Sequence, residues 1–177
     1  DWDRIFIVEP DRDVDPYRIQ IMMSGTLKDG YYYGYAATAY TWVTYPKAFV
    51  KIDVKTGEVE YLQDMSSLKD SWNAVDAMSV NPKTGEMWAT ARTSDESGNA
   101  RSMLGKIDMK TGEFTKVCTL NDWYPGMSID MDGNIWAVRW NWSSNNELNG
   151  SRLVKLDPEN NYAESVALPM TSEGKEL

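Results

Sequence analysis

Apolar and polar residues alternate along much of this chain in short runs closed by turn residues. From Glu86 to Arg92, Met87, Ala89 and Ala91 fall on one side while Trp88 and Thr90 fall on the other. That is the two-residue period of a β-strand. Comparable runs are predicted at Gln20–Thr26, Tyr31–Tyr40, Ala48–Asp53 and Glu58–Leu62, and at Ala77–Val80, Met103–Met109 and Glu113–Leu120. A last group covers Met127–Asp130, Asn134–Trp140, Arg152–Leu156 and Ala163–Leu168, and Arg4–Val8 and Tyr17–Met22 also read as extended. Between the runs stand Lys28-Asp-Gly30, Asn81-Pro-Lys-Thr-Gly85, Lys110-Thr-Gly112 and Met131-Asp-Gly133. Such turns suit tight hairpins, where positive φ falls to Gly or Asn.

The pattern repeats. Lys51-Ile-Asp-Val-Lys-Thr-Gly-Glu58 returns as Lys106-Ile-Asp-Met-Lys-Thr-Gly-Glu113 and, more loosely, as Lys155-Leu-Asp-Pro-Glu-Asn-Asn-Tyr162. A second phrase, Met78-Ser-Val-Asn-Pro-Lys-Thr-Gly-Glu-Met-Trp-Ala89, is echoed by Met127-Ser-Ile-Asp-Met-Asp-Gly-Asn-Ile-Trp-Ala137. A period near 50 residues built of strand–turn–strand units marks a β-propeller or a related array. The expected fold is therefore all-β, a β-propeller of about three four-stranded blades plus end pieces. The blades fall at residues 20–65, 74–120 and 123–169, with 1–19 as part of a preceding blade, in one small or partial domain spanning 1–177. Three blades do not close a ring of six or seven, so a piece of a larger propeller is expected. Open sheet edges are an association liability, which makes self-association an expectation. A compact four-bladed closure is the alternative.

Composition narrows the chemistry. The formal net charge is −9, from 18 basic and 27 acidic residues, which argues against binding a phosphate backbone. No apolar run approaches the ~18 residues of a membrane span. There is no histidine, so catalytic triads, imidazole bases and His-ligated zinc cannot be assembled. The single cysteine, Cys118, allows no internal disulfide and reads as a buried small hydrophobe. The chain opens on Asp1 with no visible signal peptide, as a processed product would. Its acidic, Trp-, Asn- and Ser-rich character points to a periplasmic or cell-surface bacterial protein. Asn141-Trp-Ser and Asn149-Gly-Ser match the glycosylation triplet, a pattern that arises often by chance.

In a meander, turns alternate between the two ends of the sheet. The Lys-Thr-Gly and Asp-Gly turns share one end, and the other end collects unusual residues. Trp72, Asn73, Asp76, Trp123 and Tyr124 come from the entries to first strands. Arg92, Arg139, Trp140, Asn141 and Trp142 come from the second-to-third connections. Aromatic rings beside Arg, Asn and Asp suit a small polar, sugar-like ligand, by stacking and directed hydrogen bonds. The competing reading is that Trp72 and Trp123 wedge adjacent blades. Trp88 and Trp136 stand at matching second-strand positions and are expected in the core. Asp11, Asp13 and Asp15, near Glu9, alternate as carboxylates that could collect calcium, although Pro16 stands where such a loop needs Gly, and a solvated acidic loop is favoured. No other cofactor is expected.

From Tyr124 onward the chain resembles the gluconolactonase/regucalcin-like family of six-bladed propellers. The residues that carry the resemblance are Tyr124-Pro-Gly-Met127, Ser128-Ile-Asp130, Gly133-Asn-Ile-Trp-Ala-Val138, Arg152-Leu-Val-Lys-Leu-Asp-Pro158 and Leu168-Pro169. It implies a divalent metal at the mouth, with Asp76 at one ligand position. Pro125 falls where the family places a ligand Asp, and the family's N-terminal Glu-Gly-Pro is not found. Lys-x-Asp-x-Lys-Thr-Gly also resembles quinoprotein-type repeats, but Tyr61 and Lys116 stand where those carry Trp.

These features lead to the expectation of a non-enzymatic ligand-binding or sensing propeller, with no catalytic residues assigned. It presents an aromatic-rich face to a small polar ligand or a protein partner. A metal-dependent lactone hydrolase and a purely structural surface repeat are the alternatives.

Overall fold

The computed structural model describes residues 19–38, 47–64, 75–140 and 152–169. They form three four-stranded sheets, each an antiparallel meander in chain order. The first contains β1 (Ile19–Lys28), β2 (Tyr31–Thr38), β3 (Lys47–Asp53) and β4 (Val59–Asp64). The second contains β5 (Val75–Val80), β6 (Met87–Ser94), β7 (Ala100–Ile107) and β8 (Phe114–Thr119). The third contains β9 (Trp123–Ile129), β10 (Ile135–Trp140), β11 (Arg152–Asp157) and β12 (Ala163–Pro169). The chain divides into two compact units, residues 1–71 with 109–113, and residues 72–108 with 114–177.

The repeated phrase is a hairpin device. Asp53 Oδ1 accepts from the backbone N–H groups of Lys55 and Thr56 at 2.7 and 3.1 Å. Asn81 Oδ1 does the same for Lys83 and Thr84 at 2.9 and 3.3 Å. The threonine hydroxyl then accepts from the following Glu N–H, at Thr56, Thr84 and Thr111 alike. Gly57, Gly85 and Gly112 close the turns at φ of 78°, 73° and 75°, a region that disfavours any side chain. The repeat thus encodes a turn.

In the first unit, Tyr33 and Phe49 are buried and stack at 6.2 Å between ring centroids. Tyr35 and Val50 are buried with them. In the second unit, Trp88, Leu104, Cys118 and Leu120 of one sheet meet Tyr124, Ile129, Ile135, Ala137, Val154 and Leu156 of the next. Cys118 is buried, as expected of it. Strand β9 lies against the second sheet through two hydroxyls: Ile129 N–H donates to Ser79 Oγ at 3.1 Å and Tyr124 N–H to Ser102 Oγ at 2.9 Å.

Three details depart from expectation. Strand β7 starts at Ala100 because the polar loop before it closes tightly. There the Asp95 carboxylate accepts from the N–H groups of Ser97 and Asn99 and from the Asn99 amide. Strand β9 begins at Trp123 and runs through Pro125, which a strand at the border of its own sheet tolerates because the missing N–H has no ladder partner there. Trp136 alternates with the core residues Ile135 and Ala137, so it faces the other way, half-buried, and donates its indole N–H to Asp130 Oδ2 at 3.0 Å. The expected segment Arg4–Val8 lies outside the described residues.

Two outcomes follow from these bonds. Ser102 is fully buried, and Ser102→Ala strands the Tyr124 N–H, a loss expected to cost about 1–3 kcal/mol in urea unfolding followed by tryptophan fluorescence. Asp130 is held down to about 2, first by the Asn134 side chain, then by the Trp136 indole and the backbone N–H groups of Asn134 and Asp132. Its ordinary value is 3.8, so the ionised form stabilises the fold in full above about pH 4, and that contribution disappears as pH falls through 2. Melts of Asp130→Asn between pH 5 and 2 should show a shallower acid decline than the parent protein.

Candidate functional site

Trp123 and Tyr124 are consecutive on β9, so their side chains leave opposite faces of the strand. Each reaches a separate carboxylate. The Trp123 indole N–H donates to Asp76 Oδ2 at 2.7 Å, and Arg92 Nη2 donates to Asp76 Oδ1 at 3.1 Å. The Arg92 guanidinium also lies over the Trp123 ring, 4.2 Å from its centroid, an arrangement favoured by the ring quadrupole. Trp140 meets Trp123 edge to face at 6.2 Å and is 43% exposed. Asp76, in the bulge where β5 slips against β6, has a side chain only 6% exposed. Burial raises its carboxyl above the usual 3.8, opposed by the bonds from Trp123 and Arg92.

On the other face, the Tyr124 hydroxyl donates to Glu164 Oε1 at 2.8 Å. Arg139 Nη1 donates to both Glu164 oxygens, at 3.2 and 2.9 Å. Burial raises the Tyr124 phenol, and the bond to Glu164 raises it further. These residues open on a cavity of about 220 Å³ lined by Asn121, Asp122, Tyr124, Arg139, Tyr162, Ala163 and Glu164.

The residues expected at one mouth therefore fall into two groups. Asp76, Arg92, Trp123 and Trp140 come together, while Tyr124 and Arg139 belong with Glu164. Strand parity separates the two arginines: Trp88 corresponds to Trp136, which carries Arg92 onto Trp140 and Ala91 onto Arg139. Trp72, Asn73, Asn141, Trp142, Asp11, Asp13 and Asp15 lie outside the described residues. Asp76 also stood as a metal ligand, and here both its oxygens accept bonds from protein groups. Among the described residues no cluster of three or more acidic or cysteine side chains could hold a metal ion, and no helix is long and apolar enough to cross a membrane. Sequence reasoning missed Glu164, Asn121, Asp122 and Tyr162. One signal was available: the third turn phrase replaces Lys-Thr-Gly-Glu with Glu159-Asn-Asn-Tyr162, at the place where Tyr162 enters the cavity wall.

Solved structures share this architecture. An exo-β-1,3-galactanase of Phanerochaete chrysosporium bound to β-1,3-galactotriose superposes with a TM-score of 0.61 at 11% identity, over 90% of this chain and 40% of that one. For an exo-β-1,3-galactanase of Clostridium thermocellum the values are 0.52, 17%, 81% and 35%. For a GH43 enzyme of Xanthomonas citri complexed with xylose they are 0.56, 12%, 90% and 58%. These sheets are propeller blades. The chain spans less than two thirds of the length of each of these structures. No family model and no curated protein sequence matches it.

The comparison corrects two expectations. The neighbours are five-bladed glycoside hydrolases, so the propeller fold stands but the gluconolactonase/regucalcin-like assignment does not. The non-enzymatic binding or sensing propeller, and the lactone hydrolase offered beside it, are overturned by the same finding: the propellers that share the fold are sugar-cleaving enzymes. The absence of histidine excludes imidazole chemistry and leaves the carboxyl chemistry that glycoside hydrolysis uses.

Removing the counter-charge of Asp76 tests the first cluster. Arg92→Met keeps the apolar stem and leaves a buried carboxylate without its guanidinium. Breaking a fully buried pair costs about 3–5 kcal/mol; Arg92 is partly exposed, so about 2 kcal/mol is expected at pH 7. A carboxyl whose folded value is raised stabilises in its protonated form, and that contribution is lost as pH rises through the folded value. The penalty of Arg92→Met should therefore shrink between pH 7 and pH 4, read by urea unfolding at both.

Proposed function

We propose that this chain is part of a carbohydrate-processing propeller, with Asp76, Arg92, Trp123 and Trp140 at its sugar-binding end. The observation that carries the reading is the Trp123–Trp140 corner beside a buried carboxylate and a guanidinium, on a fold shared with glycoside hydrolases. A sugar ring offers apolar C–H faces and a rim of hydroxyls. Trp140 supplies an exposed ring for the first, and Arg92, partly exposed and held in place by Asp76, supplies donors for the second.

Glycoside hydrolysis uses two carboxyl groups flanking the scissile bond, about 5–5.5 Å apart with retention and about 6.5–9.5 Å apart with inversion. The acid partner is a carboxyl whose proton is held by its surroundings. Burial moves Asp76 in that direction, against the bonds from Trp123 and Arg92. Glu164 does not serve as its partner, because Tyr124 addresses it from the opposite face of β9 and Arg139 neutralises it. A hydrolytic reading therefore assigns the second carboxyl to another residue.

The protein carrying this chain is to be incubated with β-1,3-galactotriose and with xylobiose, and the released monosaccharide measured by chromatography. Turnover of at least one is expected, falling at least ten-fold in Trp140→Ala and in Asp76→Asn with the melting temperature kept within a few degrees. Absence of both turnover and tryptophan quenching with either sugar would sink the reading.

A further inference from the structure

The cavity on the far face of β9 is lined in part by a turn built differently from its counterparts. In the Lys-Thr-Gly turns at Gly57 and Gly85 the closing N–H bonds the carbonyl four residues back, on Asp53 or Asn81, at 2.8 Å. In the turn after Asp157, Tyr162 N–H bonds the Asp157 carbonyl five residues back at 2.7 Å, after a short 3₁₀ turn at Pro158–Asn160. The extra residue leaves Asn161 and Tyr162 both left-handed, at φ of 48° and 59°. For a bulky residue such as Tyr that conformation is costly and persists only where the surroundings hold it. Here the Tyr162 N–H is bonded to the Asp157 carbonyl and its ring lies 5.7 Å from that of Trp88 in the neighbouring sheet. A glycine would relieve the strain, yet the chain places an aromatic wall there.

The other walls are polar. Glu164 is committed to Arg139 and Tyr124, and Asp122 Oδ1 to the Trp123 N–H at 3.0 Å. The second Asp122 oxygen and the Asn121 amide are available as acceptor and donor. Two carboxylates against one engaged guanidinium disfavour an anion. At about 220 Å³ the cavity is below the ~300 Å³ at which drug-sized ligands are accommodated. One ring with hydroxyls around it fits those limits.

We propose that this cavity is a second ligand site, taking a single neutral sugar ring or polyol of similar size against Tyr162, with Asn121 and Asp122 bonding its hydroxyls. It is separate from the Asp76 cluster, and only the choice of probe rests on the carbohydrate reading above.

The test is a chemical-shift titration of the ¹⁵N-labelled protein with D-xylose and D-galactose up to about 50 mM. Three proteins are compared: the parent, Ala163→Phe, which adds a ring at the cavity wall, and Trp140→Ala. Saturable shifts are expected at the amides of Asp122, Tyr162, Ala163 and Glu164. They should persist in Trp140→Ala and weaken at least ten-fold in affinity in Ala163→Phe, with the rest of the spectrum of each variant superposing on the parent. Tyr162→Gly, which removes the wall and relieves the strained φ, should weaken them equally and provides the measurement if Ala163→Phe fails to fold. The proposal is overturned by shifts confined to the surroundings of Asp76, Trp123 and Trp140, by none from either sugar, or by the same amides moving with calcium chloride alone. In the parent protein, shifts at Tyr162 and its neighbours with none near Trp140 would count against the first site and leave this one standing.

Discussion

Ser102 ties the second and third sheets into one body. It is fully buried, and all of its polar groups are engaged. Its carbonyl accepts from Leu120 N–H, its own N–H donates to the Asp122 carbonyl, and its hydroxyl accepts from Tyr124 N–H. Those three bonds, at 2.8 to 2.9 Å, fix the chain where it leaves one blade and enters the next. A buried backbone N–H without a partner is expensive, so the hydroxyl sets the register at which β9 begins. That register decides that Trp123 turns to Asp76 and Tyr124 to Glu164. Both candidate sites descend from one serine on the neighbouring sheet.

Much of the fold was legible because its repeated phrases are turn chemistry. Asp53, Asn81 and Asp130 recur in equivalent places because each folds a carboxylate or amide oxygen back onto the N–H groups that follow. The alternation between turns then gives the strands, and four strands per period give the blade. Contacts between sheets were less legible. Trp88 and Trp136 look alike in sequence, yet one is covered by Tyr162 and the other is turned onto Asp130. Repeat equivalence fixes a residue's place on its own sheet, while its burial depends on what the next sheet brings.

The mistaken family resemblance has the same physical root. Its residues, Asp130, Gly133-Asn-Ile-Trp136 and Asp157-Pro158, are the ones that close the hairpins of the third sheet. Asp130 accepts from Asp132, Asn134 and Trp136, and Asp157 Oδ1 caps the 3₁₀ turn through Glu159 N–H at 3.0 Å. Any propeller that solves the same hairpin can converge on such a phrase. It therefore identified the fold correctly and carried no information about the reaction.

The two carboxylates show how similar local chemistry serves separate places. Asp76 and Glu164 are each held by one arginine and one aromatic donor, the indole of Trp123 or the hydroxyl of Tyr124. Arg92 and Arg139 stand at the ends of matching strands, but a shift of one residue along a strand exchanges its faces, so they meet different carboxylates. The electrostatic consequences also diverge. Asp76 is deeply buried, and burial raises its carboxyl against the bonds from Trp123 and Arg92, while Glu164 is a quarter exposed and Arg139 spans both its oxygens. Asp76 is a buried charge held by its pair of donors, and Glu164, spanned by Arg139, shapes a wall. The division of roles between the two faces of β9 is thus set by burial, and burial is set by which of two adjacent aromatic residues reaches which sheet.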